Sequence, residues 1–261
     1  MSGISGYRDH VEVPIKRFSA VGTKDETMNE ILDTVITESS LTVFYRDISI
    51  NIPSCSLSDM EYLALGHLIT CGFIKYTDKV PKTRFLSKKN MICVEPEDTV
   101  SAGMPCQVPP NCKLHPLFSS KAICEIFDDL LKRSSLFKMT GATHAAALCD
   151  NKGILLWHED VGRHNAVDKV IGHAFAERIP PGDKMIALTG RINTEIVGKV
   201  ISVGIPVVAS KAPPTDMAIE DSQGAGVTII GFVRDRCMSV YSNSERVVNT
   251  SLTGRKQIEP G

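Results

Sequence analysis

The alternation between Met185 and Phe232 constrains this chain more than any other feature. Apolar runs Met185-Ile186-Ala187-Leu188, Pro206-Val207-Val208-Ala209 and Val227-Thr228-Ile229-Ile230-Gly231-Phe232 read as strands. Segments of helical period, Asn193 to Val203 and Thr215 to Ser222, separate them. A β-α-β-α-β order predicts a parallel sheet with helices on both faces, because each connection must cross over a face. The same layering extends upstream. Thr143 to Cys149 and Ile154 to Trp157 flank the turn Asp150-Asn151-Lys152-Gly153 as a hairpin. A helix from Arg163 turns Ala166, Val167, Val170, Ile171 and Ala174 inward, and Ile123, Ile126, Phe127, Leu130 and Leu131 mark an amphipathic helix ending at Lys132-Arg133. Residues 117–261 therefore read as one α/β domain.

Residues 1–116 read as a smaller, strand-rich part. Ile31 to Ile36, Leu41 to Tyr45 and Ile48 to Ile52 are candidate strands, and the polar, Gly-rich residues before about position 24 are expected to pack loosely. Ser58 and Asp59 offer N-caps for a helix reaching Cys71, stopped by Gly72. Two short strands, near 83–86 and 91–94, precede a proline-rich stretch from Glu95 to Pro116 that excludes regular structure.

A formal charge of -1 over 261 residues supplies no general attraction to nucleic acid or an anionic membrane. No apolar run is long enough to span a bilayer, since Lys199 and Gly204-Ile205-Pro206 interrupt the best one, Ile196 to Ala209. The first ten residues lack the regions of a secretory signal. Eight scattered cysteines without a CxxC pair predict reduced thiols in a cytoplasmic protein and give no support to a zinc ribbon.

Chemistry concentrates between Thr140 and Lys169. His144, His158 and His164 fall there beside Glu159, Asp160, Arg163, Asp168 and Lys169, next to apolar runs. Ionisable groups beside a core must be paired or in use. His164 and Asp168, four apart, are placed to pair on one helical face. The histidine spacings match no standard metal-ligand pattern, so no metal is assigned. Three later turns, Thr189-Gly190-Arg191, Ser210 to Thr215 and Val233-Arg234-Asp235-Arg236, each carry a cation at a strand end. Successive basic turns on one rim suit phosphate groups. Cys106, on the proline-rich loop, is the candidate nucleophile, and Cys112 lies six residues on.

Thr140-Gly141-Ala142-Thr143-His144-Ala145-Ala146-Ala147 and His158-Glu159-Asp160-Val161-Gly162-Arg163-His164-Asn165-Ala166-Val167-Asp168-Lys169 resemble the FdhD/NarQ family of formate dehydrogenase accessory proteins. Gly190-Arg191-Ile192, Ala212-Pro213-Pro214-Thr215, Gly231-Phe232 and Tyr62-Leu63-Ala64-Leu65-Gly66-His67-Leu68 extend the resemblance. It implies a cytidine-deaminase-like layered α/β fold, commonly dimeric, and a cytoplasmic sulfur carrier. Such a carrier takes persulfide sulfur from a cysteine desulfurase and passes it to the molybdenum bis(molybdopterin guanine dinucleotide) cofactor before that cofactor enters formate dehydrogenase. The family's cofactor segment maps onto Phe232, Val233, Arg234, Asp235, Arg236 and Cys237, with Arg191, His144, His158 and Arg163 as further contacts.

Where the family has CxxC, this chain has Gly103-Met104-Pro105-Cys106. Either Cys106 alone carries the sulfur, Cys112 replaces the missing thiol, or the protein is a cofactor-binding chaperone without sulfur transfer. A zinc deaminase would need His or Cys two residues before Glu and then Pro-Cys-x-x-Cys; Pro105-Cys106 has no second cysteine three residues on and precedes the histidine motif, and His158-Glu159 lacks the intervening residue.

Overall fold

The computed structural model describes residues 8–86, 90–96 and 117–249. The N-terminal part comprises β1 (His10–Ser19), β2 (Thr27–Ile36), β3 (Ser39–Tyr45), β4 (Ile48–Cys55), α1 (Met60–Thr70), β5 (Lys82–Leu86) and β6 (Met91–Glu95). Then follow β7 (Phe118–Ser119), α2 (Ser120–Arg133), α3 (Ser135–Thr140), β8 (His144–Asp150), β9 (Gly153–Asp160) and α4 (Arg163–Ala176). The chain continues through β10 (Met185–Leu188), α5 (Thr194–Val203), β11 (Val207–Ser210), α6 (Asp216–Ala225), β12 (Thr228–Arg234), β13 (Cys237–Val240) and β14 (Val247–Val248).

The main sheet has the order β13-β12-β11-β10-β8-β9. Only β10, β11 and β12 run parallel; β8, β9 and β13 each run antiparallel to a neighbour. The expected parallel sheet is thus its centre alone, because tight hairpins at both ends reverse direction without a crossover. Its strands divide their side chains between two cores by simple alternation. Ala146, Leu148, Ile186, Leu188, Val208 and Ile229 face α4, α5 and α6. Ala145, Ala147, Cys149, Met185, Ala187, Val207 and Ala209 face α2. This is the layered α/β class expected from the sequence.

The four-stranded sheet β4-β3-β6-β5 shares the first of these cores, in which Leu41, Val43 and Ile92 join Leu63, Leu68 and Val170. Helix α1 lies between this small sheet and α4, so residues all round it are buried. Its contact with α4 is backbone to backbone. A Cβ on Gly66 would stand 1.8 Å from the Asp168 carbonyl oxygen, and one on Gly172 would stand 2.0 Å from that of Tyr62. These pairings make the two helices antiparallel.

The segment expected to pack loosely contains β1, paired with β2 in ten-residue register from His10↔Ile36 to Ser19↔Thr27. Its polar residues misled because the ribbon leaves both faces largely exposed, so no apolar alternation was required. Asp59 does sit at the N-cap of α1, but in left-handed conformation (φ 55) and without a side-chain cap bond. Its carboxylate is engaged elsewhere.

Candidate functional site: a cleft at the carboxyl rim of the sheet

Parallel register brings the ends of β10, β11 and β12 to one rim, and the antiparallel β8–β9 hairpin adds His144 opposite Asp160. A cleft of about 590 Å³ opens there. Leu131 and Phe137 give it apolar walls, the backbone of Gly141 to Ala145 gives an edge, and His144, Thr189 and Lys211 supply polar groups. Few convergent polar groups on apolar walls suit a flat heterocycle.

His144 Nδ1 stands 3.4 Å from Thr189 Oγ1, which also accepts the Ala145 amide at 3.0 Å. Burial, and then the Arg163 guanidinium, hold the His144 imidazole below its ordinary value, so it is neutral at pH 7. Arg163 opens α4 and packs on Gly190, where a Cβ would meet its side chain at 2.8 Å. Its Nε is buried with no hydrogen-bond partner among the described residues. The turns are tied together as well: Ser210 Oγ donates to Gly190 O at 2.6 Å, and Ala212 N donates to Ser210 Oγ at 2.9 Å. Lys211 is therefore held over the cleft by a braced loop.

The third basic turn joins β12 to β13; it is a hairpin, with no helix behind it. Phe232, Asp235 and Arg236 all have positive φ, an arrangement costly for side-chain-bearing residues. The turn lifts Arg234 over the Phe232 ring, 3.9 Å from its centroid. Arg236 lies 3.7 Å from Asp128 at the surface, and Cys237 is exposed. Val233 points its side chain into the core beside α2, so only its backbone can meet a ligand. Arg191 is exposed on the Thr189 turn.

Several charges of the central motif serve the fold instead. His158 does not reach the cleft. It contacts Asp59 Oδ2 through Nδ1 and His173 Nδ1 through Nε2, both at 2.9 Å, while Tyr62 stacks on His173. Burial raises the Asp59 carboxyl, but the hydrogen bond and charge of His158 outweigh it and hold Asp59 below the usual range. Burial, then His158, lowers His173. Glu159 receives the Leu136 and Phe137 amides at 3.1 and 2.8 Å and so caps α3, the wall of the cleft. Asp160 pairs with Lys169 at 2.7 Å, both fully buried. The expected His164–Asp168 pair does not form. His164 Nε2 reaches Glu195 at 3.1 Å, whereas Asp168 takes His67, Thr70 and Lys199 from the adjoining helices. Helical spacing allowed the first pairing; burial against α1 and α5 decided the second.

Cys106 and Cys112 lie outside the described residues. Among the described residues no three His, Cys, Asp or Glu side chains group as a metal site. None of the described helices is long and apolar enough to cross a membrane. Lys211 is the cation expected in the second basic turn, whereas the α3 wall was absent from the residues singled out in the sequence. Gly141, a left-handed C-cap between the amphipathic helix and the histidine strand, was the available signal for α3.

Known proteins resemble this chain along most of its length. The FdhD/NarQ family model matches residues 93–248. A sulfur carrier protein FdhD from Saccharolobus solfataricus is 33% identical over 255 residues, covering 90% of this chain and 99% of the relative. The Bacillus subtilis protein of the same name is 29% identical over 242 residues, 84% and 92% of the two chains. A crystal structure of a Desulfotalea psychrophila protein described as a formate dehydrogenase accessory protein shares the fold, with a TM-score of 0.73 at 24% identity over 90% of this chain and 99% of that one. On the family match and on the identity along nearly its whole length, this chain belongs to the FdhD/NarQ family.

Proposed function

We propose that this protein is a sulfur carrier in the maturation of formate dehydrogenase. Cys106 receives sulfane sulfur from a cysteine desulfurase, and the molybdenum bis(molybdopterin guanine dinucleotide) cofactor is the acceptor. The Cys106 thiolate attacks the outer sulfur of the donor persulfide; a new S–S bond forms, the donor bond breaks, and the donor leaves as thiolate. One sulfur acceptor is enough for this step, so the absent first cysteine of the motif is no chemical bar.

The observation that carries the reading is the cleft with its cations. Neutral His144, Thr189 and the backbone edge can hydrogen-bond a guanine, and Phe137 and Leu131 can cover its faces. Arg163, whose buried Nε has no hydrogen-bond partner among the described residues, and Lys211, Arg191 and Arg234 suit the phosphates. Dimerisation and a cytoplasmic location belong to the same reading.

Calorimetry with GDP tests the binding half. Lys211→Ala and Arg234→Ala/Arg236→Ala should each weaken GDP about tenfold or more, the scale of one lost charge-assisted bond. Equal affinity in wild type and both variants refutes it. For the sulfur half, mass spectrometry after incubation with a desulfurase and cysteine should show one added sulfur on Cys106, absent from Cys106→Ala.

A further inference from the structure

Away from the cleft, α1 ends in a second group of reactive side chains. His67 and Cys71 stand one helical turn apart, with the Cys71 sulfur 3.6 Å from His67 Nε2. The other ring nitrogen, Nδ1, lies 3.3 Å from Asp168 Oδ2. Asp168 is 1% exposed and also accepts Thr70 Oγ1 at 2.9 Å and Lys199 Nζ at 2.6 Å. Thiol, imidazole and buried carboxylate thus follow in the order of a nucleophile, its proton partner and the group that orients that partner.

The arrangement is held from outside the helix. The Gly66–Asp168 backbone contact sets α1 against α4, and Lys199 from α5 clamps the carboxylate. Carbonyls at the end of a helix disfavour an anion, so Cys71 depends on His67 for any activation. The hydrogen bond to Asp168, followed by that to Cys71, raises the His67 imidazole to about 9, which leaves it protonated at neutral pH. A cation beside a sulfur is the environment that favours thiolate chemistry. Cys71 is also open to solvent, whereas Cys55 and Cys149 are buried and burial pushes both thiols up, Cys55 to about 12. Because α1 and α4 are antiparallel, Cys71 lies at the end where α4 begins. That is the rim bearing the cleft, approached from the opposite face of the sheet.

We propose that Cys71 is a second acceptor of sulfane sulfur, served by His67 and Asp168, an inference that rests on the sulfur-carrier reading above. The Cys71 thiolate attacks the outer sulfur of a donor persulfide, R–S–SH. The Cys71 Sγ–S bond forms as the donor S–S bond breaks, and the bonding pair departs on the donor as R–S⁻. The hydrogen stays on the transferred sulfur, giving Cys71–S–SH with no net oxidation.

The test uses the full chain and inorganic tetrasulfide, with iodoacetamide trapping and peptide mass spectrometry in wild type, Cys106→Ser, Cys71→Ser and His67→Gln. Exposed Cys237 is the internal reference thiol. Cys106→Ser should still gain one sulfur on Cys71, several-fold faster at pH 6.5 than on Cys237, because a cation beside a sulfur favours its reaction. His67→Gln should bring Cys71 down to the Cys237 rate. Sulfur on Cys106 but not on Cys71 overturns this proposal and leaves the carrier reading standing; sulfur on neither overturns both. Should His67→Gln fail to fold, the wild-type ratio of Cys71 to Cys237 alkylation from pH 5 to 9 decides, and a ratio near one throughout overturns the proposal. The groups facing His67 in that titration are Cys71 on its own helix and Asp168 from α4, with Lys199 from α5 behind.

Discussion

Replacing Lys169 by methionine should destabilise the protein by about 3 kcal/mol, and replacing Asp160 by alanine by about 5 kcal/mol, the range for breaking a buried ion pair from one side. The two residues are 2.7 Å apart and both 0% exposed. Their remaining partners set the order. Without Lys169, Asp160 still accepts Ser56 N and Oγ, each at 3.1 Å, Gly162 N at 2.9 Å and Asn165 Nδ2 at 3.0 Å. Without Asp160, the Lys169 ammonium keeps, among the described residues, only Ser56 Oγ at 2.7 Å and the Glu159 carbonyl at 3.3 Å. The Ser56 and Gly162 amides also lose their acceptor. For a domain of this size 3 kcal/mol corresponds to a fall of about 6–12 °C in Tm. Urea unfolding followed by the fluorescence of Trp157, on the strand that carries Asp160, measures both variants. A loss under about 1 kcal/mol for Lys169→Met, or the reverse order, would refute the reasoning.

Gly66→Ala should destabilise by about 3 kcal/mol through overpacking, against the roughly 1 kcal/mol that helix propensity alone would add, because the new methyl collides with the Asp168 carbonyl; a thermal melt reads the sign. Glu159→Ala removes the acceptor of the Leu136 and Phe137 amides, so it should cost about 2 kcal/mol and weaken GDP as the α3 wall loosens. Calorimetry showing unchanged binding would separate α3 from the site. His67 is raised when folded, from 6.5 to about 9, so its contribution to stability is complete below pH 6.5 and fades as pH rises through 9. The gap in urea midpoint between wild type and His67→Gln should therefore close between pH 7 and 10, and a gap of constant size would show that the pair adds nothing.

The layering was legible because it depends on local period. Alternation along β8 and β10 to β12, and the i, i+3, i+4 pattern of α2 and α4, assign residues to faces without knowledge of what covers them. Strand β1 and the first half of β2 escaped notice because both faces of the ribbon meet water. The β8–β9 hairpin was recognised, but its second strand was ended at Trp157, short of the polar residues His158 to Asp160. Their pairing with His144 to Ala146 of β8 makes them strand.

The sequence alone determined the family, the α/β layers and the concentration of charge between Thr140 and Lys169. Which of those charges meet a ligand was decided only in three dimensions. Asp160, Lys169 and Asp168 find partners about a hundred residues away, at Ser56, His67 and Thr70, and no local period reports such a pairing. Tertiary packing left His144 at the cleft and drew His158 into the contact between α1 and α4. It also set Cys71, read in the sequence only as the end of a helix, against a histidine and a buried aspartate. The physical reason is the same in each case: a buried charge must be paired, and the fold, not the spacing, chooses its partner.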